Sequence, residues 1–95
     1  MVELDRTHRI LEIGCGPVID HVLSAAPHVA RIDMADLRED NLDEIRKWRD
    51  RAPNAHSWRR FTRLVLAAEG RDDSEVAIDA REDLLRAKLG TLRTC

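Results

Sequence analysis

Nine residues near the start of the chain, Arg9-Ile10-Leu11-Glu12-Ile13-Gly14-Cys15-Gly16-Pro17, constrain the fold more than any other stretch. Ile10, Leu11 and Ile13, interrupted only by Glu12, are what a strand buried in a parallel sheet requires. Gly14 and Gly16 end it. Pro17 is pre-set for the first turn of a helix, where its missing N–H leaves no bond unmade. Strand, tight glycine turn and helix start, in that order, predict a nucleotide-binding turn. The glycines let the backbone approach a ligand closely, and the free N–H groups of a helix start face an anion. Gly-x-Gly also occurs in purely structural turns, so the pattern is weak by itself. A dinucleotide site adds a third glycine three positions after the second; here that position is Ile19.

Behind the turn, Val18, Ile19, Val22, Leu23, Ala25 and Ala26 share one helical face, predicting a helix over 17–26 that stops at Pro27. Residues 29–35, Val-Ala-Arg-Ile-Asp-Met-Ala, predict a second strand. A βαβ unit of about 30 residues is then complete, with its strands as parallel neighbours. Asp36 follows at the carboxyl end of that strand, 20 positions after Gly16. That is close to the offset at which an acid meets a ribose hydroxyl in nucleotide-binding folds. Asp33, 17 positions after Gly16, competes for the role but lies inside the strand rather than at its tip. The alternative role for Asp36 is to cap the next helix.

That helix is expected over 39–51, with Leu42, Ile45 and Trp48 as its apolar stripe and Asp43–Lys47 as an i,i+4 pair on the wet side. Asn41, one turn in, turns its amide either to the ribose or to solvent. Ser57 is placed to cap a helix over 57–69, whose stripe of Trp58, Phe61, Leu64, Val65 and Ala68 closes at Gly70. After a solvated loop at 70–74, a helix over 74–89 carries Ile78, Leu85 and Leu89 on one side and ends at Gly90. Thr91 to Cys95 begin a third strand.

Composition excludes several classes. Ninety-five residues make one small domain. With 36% charged and 43% hydrophobic residues the chain is globular in character, but aromatics at 3% are thin for a self-sufficient core. A formal net charge of -2 gives no electrostatic reason to expect nucleic acid or an anionic membrane. No apolar run approaches the roughly 20 residues of a membrane span, and the N-terminus is too polar for a secretory signal. The two cysteines, Cys15 and Cys95, suggest free thiols, hence a cytoplasmic setting. His8, His21, His28 and His56 show no metal-ligand spacing, with or without those cysteines. The basic and aromatic stretch His56–Arg63 reads as a solvated amphipathic helix, since its apolar positions are already used by the core stripe.

With these residues in place, the chain resembles the nicotinamide, phenylethanolamine and indolethylamine (thioether) N-methyltransferases, a branch of the class I S-adenosylmethionine-dependent enzymes. The matching positions are Leu11 through Pro17, Ile19, Leu23-Ser24-Ala25, Asp36, Asn41-Leu42, Lys47-Trp48, Pro53, Ala55, Trp58 and Glu69-Gly70. The resemblance implies an α/β fold, a partial Rossmann-like methyltransferase domain with two or three parallel strands and about four helices. It implies S-adenosyl-L-methionine as cofactor, with Glu12, Gly14, Cys15, Gly16 and Pro17 shaping the pocket for its methionine end. Asp36 would take the ribose hydroxyls, Asn41 would support that end of the ligand, and Leu37 would stand where the family often has an aromatic residue. The acceptor would be a small molecule, an amine or N-heterocycle. No catalytic base and no metal ligand are assigned, because methyl transfer from a sulfonium depends mostly on holding donor and acceptor in line.

The family's tyrosine-bearing segment before the first strand and its acceptor-binding strands have no counterpart in these residues. A single incomplete cofactor-binding domain over 1–95, a truncated product weakly active or inactive alone, is therefore expected. It would have an uncovered sheet face and unpaired edges through which chains can associate. The other functional class is a non-catalytic remnant or small helical interaction protein that binds no cofactor.

Overall fold

The computed structural model describes residues 9–14 and 19–94. Its elements run β1 (Arg9–Ile13), α1 (Asp20–Ala25), a 3₁₀ turn (Ala26–His28), β2 (Arg31–Asp36), α2 (Glu39–Arg49), α3 (Arg59–Ala68), α4 (Glu75–Lys88) and β3 (Leu89–Thr94). The three strands form one parallel sheet in the order β1-β2-β3. This is the α/β architecture the sequence predicts, a partial Rossmann-like methyltransferase fold. Cys15, Gly16, Pro17 and Cys95 lie outside the described residues, so the predicted start of the first helix and the state of both cysteines do too.

Period-two alternation divides the sheet. Ile10, Ile32, Met34 and Leu92 turn toward the helices and join Ile19, Val22, Leu23, Leu42, Ile45, Trp48 and Leu85 in the core. Leu11 and Ile13 turn the other way and are 58% and 70% exposed. The buried strand expected at 9–13 is thus half correct: one face is packed, while the other is uncovered by any described residue. The principal extents of 35 × 34 × 18 Å are those of a flat, two-layered body.

As expected, Pro27 lies just past the end of the first helix, which runs to Ala25. It sits at the start of the 3₁₀ turn, where its fixed φ continues the winding and its missing N–H costs no bond. The carbonyls at that end are taken by cations from α4: Arg81 Nη1 donates to Leu23 O at 3.2 Å and Lys88 Nζ to Ala26 O at 2.6 Å. Opposite charge at a helix carboxyl end is favourable.

α2 buries the expected Leu42, Ile45 and Trp48, and the Arg86 guanidinium stacks 4.1 Å from the Trp48 ring centroid. Its surface pairs differ from expectation, being Arg46–Asp43 and Lys47–Glu44 rather than Asp43–Lys47. Both pairs are partly exposed and of small energetic consequence. The helix ends in a Schellman motif: Ala52 N–H bonds Lys47 O at 2.9 Å and Arg51 N–H bonds Trp48 O at 3.2 Å. Arg51 takes the left-handed position, φ 59°. α3 ends the same way, with Gly70 at φ 72° in the equivalent place.

α3 corrects two readings. Ser57 does not cap it; the residue before its first turn is Trp58, with no side-chain cap. The inward face carries Trp58, Thr62 and Leu66, leaving Phe61 47% and Leu64 64% exposed, contrary to the predicted stripe. The physical reason lies on α4, which buries Arg81 and Glu82 beside Ile78 and Leu85. Thr62 Oγ1 donates to Glu82 Oε2 at 2.6 Å, and Arg81 holds Glu69 in a bidentate pair at 2.7 and 2.9 Å. Buried polar groups must be paired, and only one rotation of α3 supplies the partners.

Gly90 does not end α4 as expected but lies inside β3. Ile32 pairs with Leu89 and Met34 with Leu92, so one extra residue of β3 faces Asp33. A Cβ on Gly90 would come within 2.3 Å of Arg31 Nε and Asp33 Oδ1. Only glycine leaves that ion pair its place.

Two outcomes are expected. Arg51→Gly should raise stability in a urea titration by about 0.5–1 kcal/mol, because a left-handed arginine costs roughly that much more than glycine while its exposed pair with Asp83 returns little. Hydrogen bonds from Arg81 hold the Glu69 carboxyl below the ordinary glutamate range. The folded chain therefore takes up that proton less readily than the unfolded one. The resulting stability is complete above about pH 5 and lost as pH falls through the lowered value. Glu69→Gln should lower stability at neutral pH and make the acid decline shallower.

Candidate functional site

Because all three strands are parallel, their carboxyl ends open on one side, the place where open α/β sheets hold ligands. Gly14 leaves β1 there with φ 68°, and its N–H donates to Ala35 O at 2.8 Å, tying the turn to the end of β2. A Cβ built on Gly14 would meet nothing within 4 Å. The glycine is therefore required by backbone conformation, and among the described residues none fills the space above it.

Asp36 is the last residue of β2, 7% exposed, one position beyond the Ala35 carbonyl that binds Gly14. Its Oδ1 accepts from Arg38 N–H at 2.8 Å and from Asn41 Nδ2 at 3.0 Å. The first is an Asx turn, which an aspartate makes with the amide two residues on. Asp36 is thus not the helix cap considered as its alternative role; Arg38 occupies that position, without a side-chain cap. Asn41 turns neither to solvent nor simply to the crevice: its amide holds the Asp36 carboxylate. Leu37 is 78% exposed beside it. Glu12 is half-buried on the helix side of β1, paired with Met34.

Two other acids lie near this end, and each is committed elsewhere. Asp33 lies on the uncovered face, where its Oδ1 accepts from Arg31 Nε and Thr91 N–H, both at 2.8 Å. Those two donors hold its carboxyl below the ordinary aspartate range, Arg31 first. The sequence competitor of Asp36 is therefore bound on the far side of the sheet. Glu39 accepts from Thr94 Oγ1 and from Arg46 Nη1, which together hold its carboxyl below the ordinary glutamate range. The structure brings Gly14, Asp36, Leu37 and Asn41 to one end of the sheet; Cys15, Gly16 and Pro17 lie outside the described residues.

Sequence reasoning missed the Arg38 amide and the Glu39–Thr94 contact. The first has a local signal, aspartate followed two positions on by a free N–H. The second joins residues 55 positions apart and has none. Among the described residues, no three His, Cys, Asp or Glu side chains group as metal ligands, and no helix is long and apolar enough to cross a membrane.

Comparison with known proteins agrees with this architecture. A family profile described as the NNMT/PNMT/TEMT family matches residues 2–95. Phenylethanolamine N-methyltransferase of Bos taurus is 37% identical over 65 residues, 68% of this chain and 23% of that protein. Nicotinamide N-methyltransferase of Homo sapiens is 30% identical over 86 residues, 90% of this chain and 31% of that protein. Indolethylamine N-methyltransferase of Oryctolagus cuniculus is 31% identical over 61 residues, 64% of this chain and 23% of that protein. The chain thus spans about a quarter to a third of the length of the relatives it matches. On this match, which runs through the strand, turn and acid just described, the chain belongs to the NNMT/PNMT/TEMT family of methyltransferases.

Proposed function

We propose that the crevice at the carboxyl ends of β1 and β2 binds S-adenosyl-L-methionine, and that the chain is the cofactor-binding portion of a small-molecule N-methyltransferase. The observation that carries this reading is the Asp36 carboxylate: shielded from water and placed at a strand tip, with Arg38 N–H and Asn41 Nδ2 among the donors that orient it. A carboxylate so held suits a pair of hydroxyl donors, which charge-assisted hydrogen bonds bind strongly. The residues present fit the ligand. The methionine end would lie over Gly14, where no described residue stands within 4 Å of a Cβ position, and Glu12, Cys15, Gly16 and Pro17 are the residues of this stretch assigned to it. Leu37 offers an aliphatic contact beside the ribose, and Asn41 acts through Asp36.

The cofactor supplies an electrophilic methyl group on a sulfonium. The task of these residues is orientation, which is worth several kcal/mol when the reacting atoms are held in line. No proton need be moved by any residue described here. The acceptor, an amine or N-heterocycle, falls to segments that the longer relatives carry outside the matched span. The 95-residue chain alone is therefore expected to bind cofactor and to transfer methyl groups weakly or not at all.

Calorimetry with S-adenosylhomocysteine tests the reading. Asp36→Asn should weaken binding at least tenfold, about 1.4 kcal/mol, while Asp33→Asn should leave it within about twofold. NAD should not compete. A folded sample that gives no heat at millimolar ligand would overturn the proposal in favour of a non-catalytic chain.

A further inference from the structure

The cofactor reading makes no use of a side-chain cluster at the same end of the sheet. Arg46, seven residues into α2 from Glu39, donates through Nη1 to Glu39 and Asp43 and through Nη2 to Leu92 O at 2.9 Å. Thr94 Oγ1 closes the loop by donating to the other Glu39 oxygen. One guanidinium therefore holds β3 at two points, directly at Leu92 and through Glu39 at Thr94. β3 is an edge strand whose only partner among the described residues is β2. Its tip stands in register with the site acid, Thr94 opposite Asp36. Glu39 lies between Asp36 and Asn41 in sequence, at the first turn of α2. A load on that turn is felt at both.

We propose that Arg46, Glu39 and Thr94 are positioning residues, a clamp that fixes the tip of β3 against the first turn of α2. Through that turn it holds Asn41 and Asp36 in the relation an adenosyl ligand needs. The clamp's partly exposed members contribute little to global stability. Their effect is on preorganisation: an ordered site loses less freedom on binding. The ligand part of the proposal rests on the cofactor reading; the coupling between Thr94 and Asn41 does not.

The test compares the whole chain with Thr94→Val, which removes the hydroxyl and keeps the shape, Thr94→Ser, which restores it, and Arg46→Met. S-adenosylhomocysteine should bind Thr94→Val and Arg46→Met about five- to tenfold more weakly, the cost of ordering on binding a site that the clamp otherwise holds ready. Thr94→Ser should bind as the parent does, and thermal midpoints should stay within about 2 °C. Without ligand, the ¹⁵N-detected side-chain amide of Asn41 should shift in Thr94→Val and return in Thr94→Ser. Unchanged affinity in Thr94→Val, with the parent binding normally, overturns the clamp and leaves the cofactor reading standing. If the parent binds nothing, the cofactor reading fails, and the Asn41 signal decides alone: unmoved, the clamp is wrong; shifted and rescued, it is right.

Discussion

β2 is the strand on which the structure depends, because among the described residues it alone has a neighbour on each edge. Its ladder bonds fix its height relative to β1 and β3, its helix-side residues Ile32 and Met34 enter the core, and its last residue is Asp36. A side chain at the end of a doubly paired strand inherits the precision of the sheet. That is a better platform for a ligand-orienting carboxylate than a loop. Everything placed around the crevice is referred to this strand: Gly14 through the Ala35 carbonyl, Asn41 through Asp36, and Thr94 through the ladder.

The elements were legible where local signals agree. Short apolar runs marked the strands, Gly70 marked the close of α3, and the periodic Leu42, Ile45 and Trp48 marked the buried face of α2. Asp36 was legible from its distance to the glycine turn, since a βαβ unit of ordinary size puts the second strand tip there. What failed to show was anything decided by a distant partner. α3 is apolar around much of its circumference, so hydrophobicity did not choose its inward face. The choice fell to Glu82 on another helix, which needs the Thr62 hydroxyl. Gly90 had the look of a helix terminator because it follows a long helical pattern. Its reason is the Arg31–Asp33 pair lying across it.

The polar interior between α3 and α4 also explains how a chain so poor in aromatic residues holds a unique packing. Arg81, Glu69, Glu82 and Thr62 satisfy one another and the end of α1. Loss of the Thr62 hydroxyl takes a donor from the buried Glu82, and loss of Glu69 takes the carboxylate from the buried Arg81, a penalty larger than the gain either pair gives. Such a network selects one helix arrangement among several that apolar contacts alone would tolerate.

The additional residue in β3 has a further consequence. Side chains of a strand alternate, so a single inserted residue reverses which of its later members looks toward the helices. Counting from Leu89 without that insertion, Arg93 rather than Thr94 would stand beside Asp36. A guanidinium in that position would neutralise the acid and spend its hydrogen-bonding capacity on the protein itself. One backbone irregularity, kept possible by a hydrogen atom in place of a side chain at position 90, thus decides whether a threonine or an arginine of β3 stands in register with the acid.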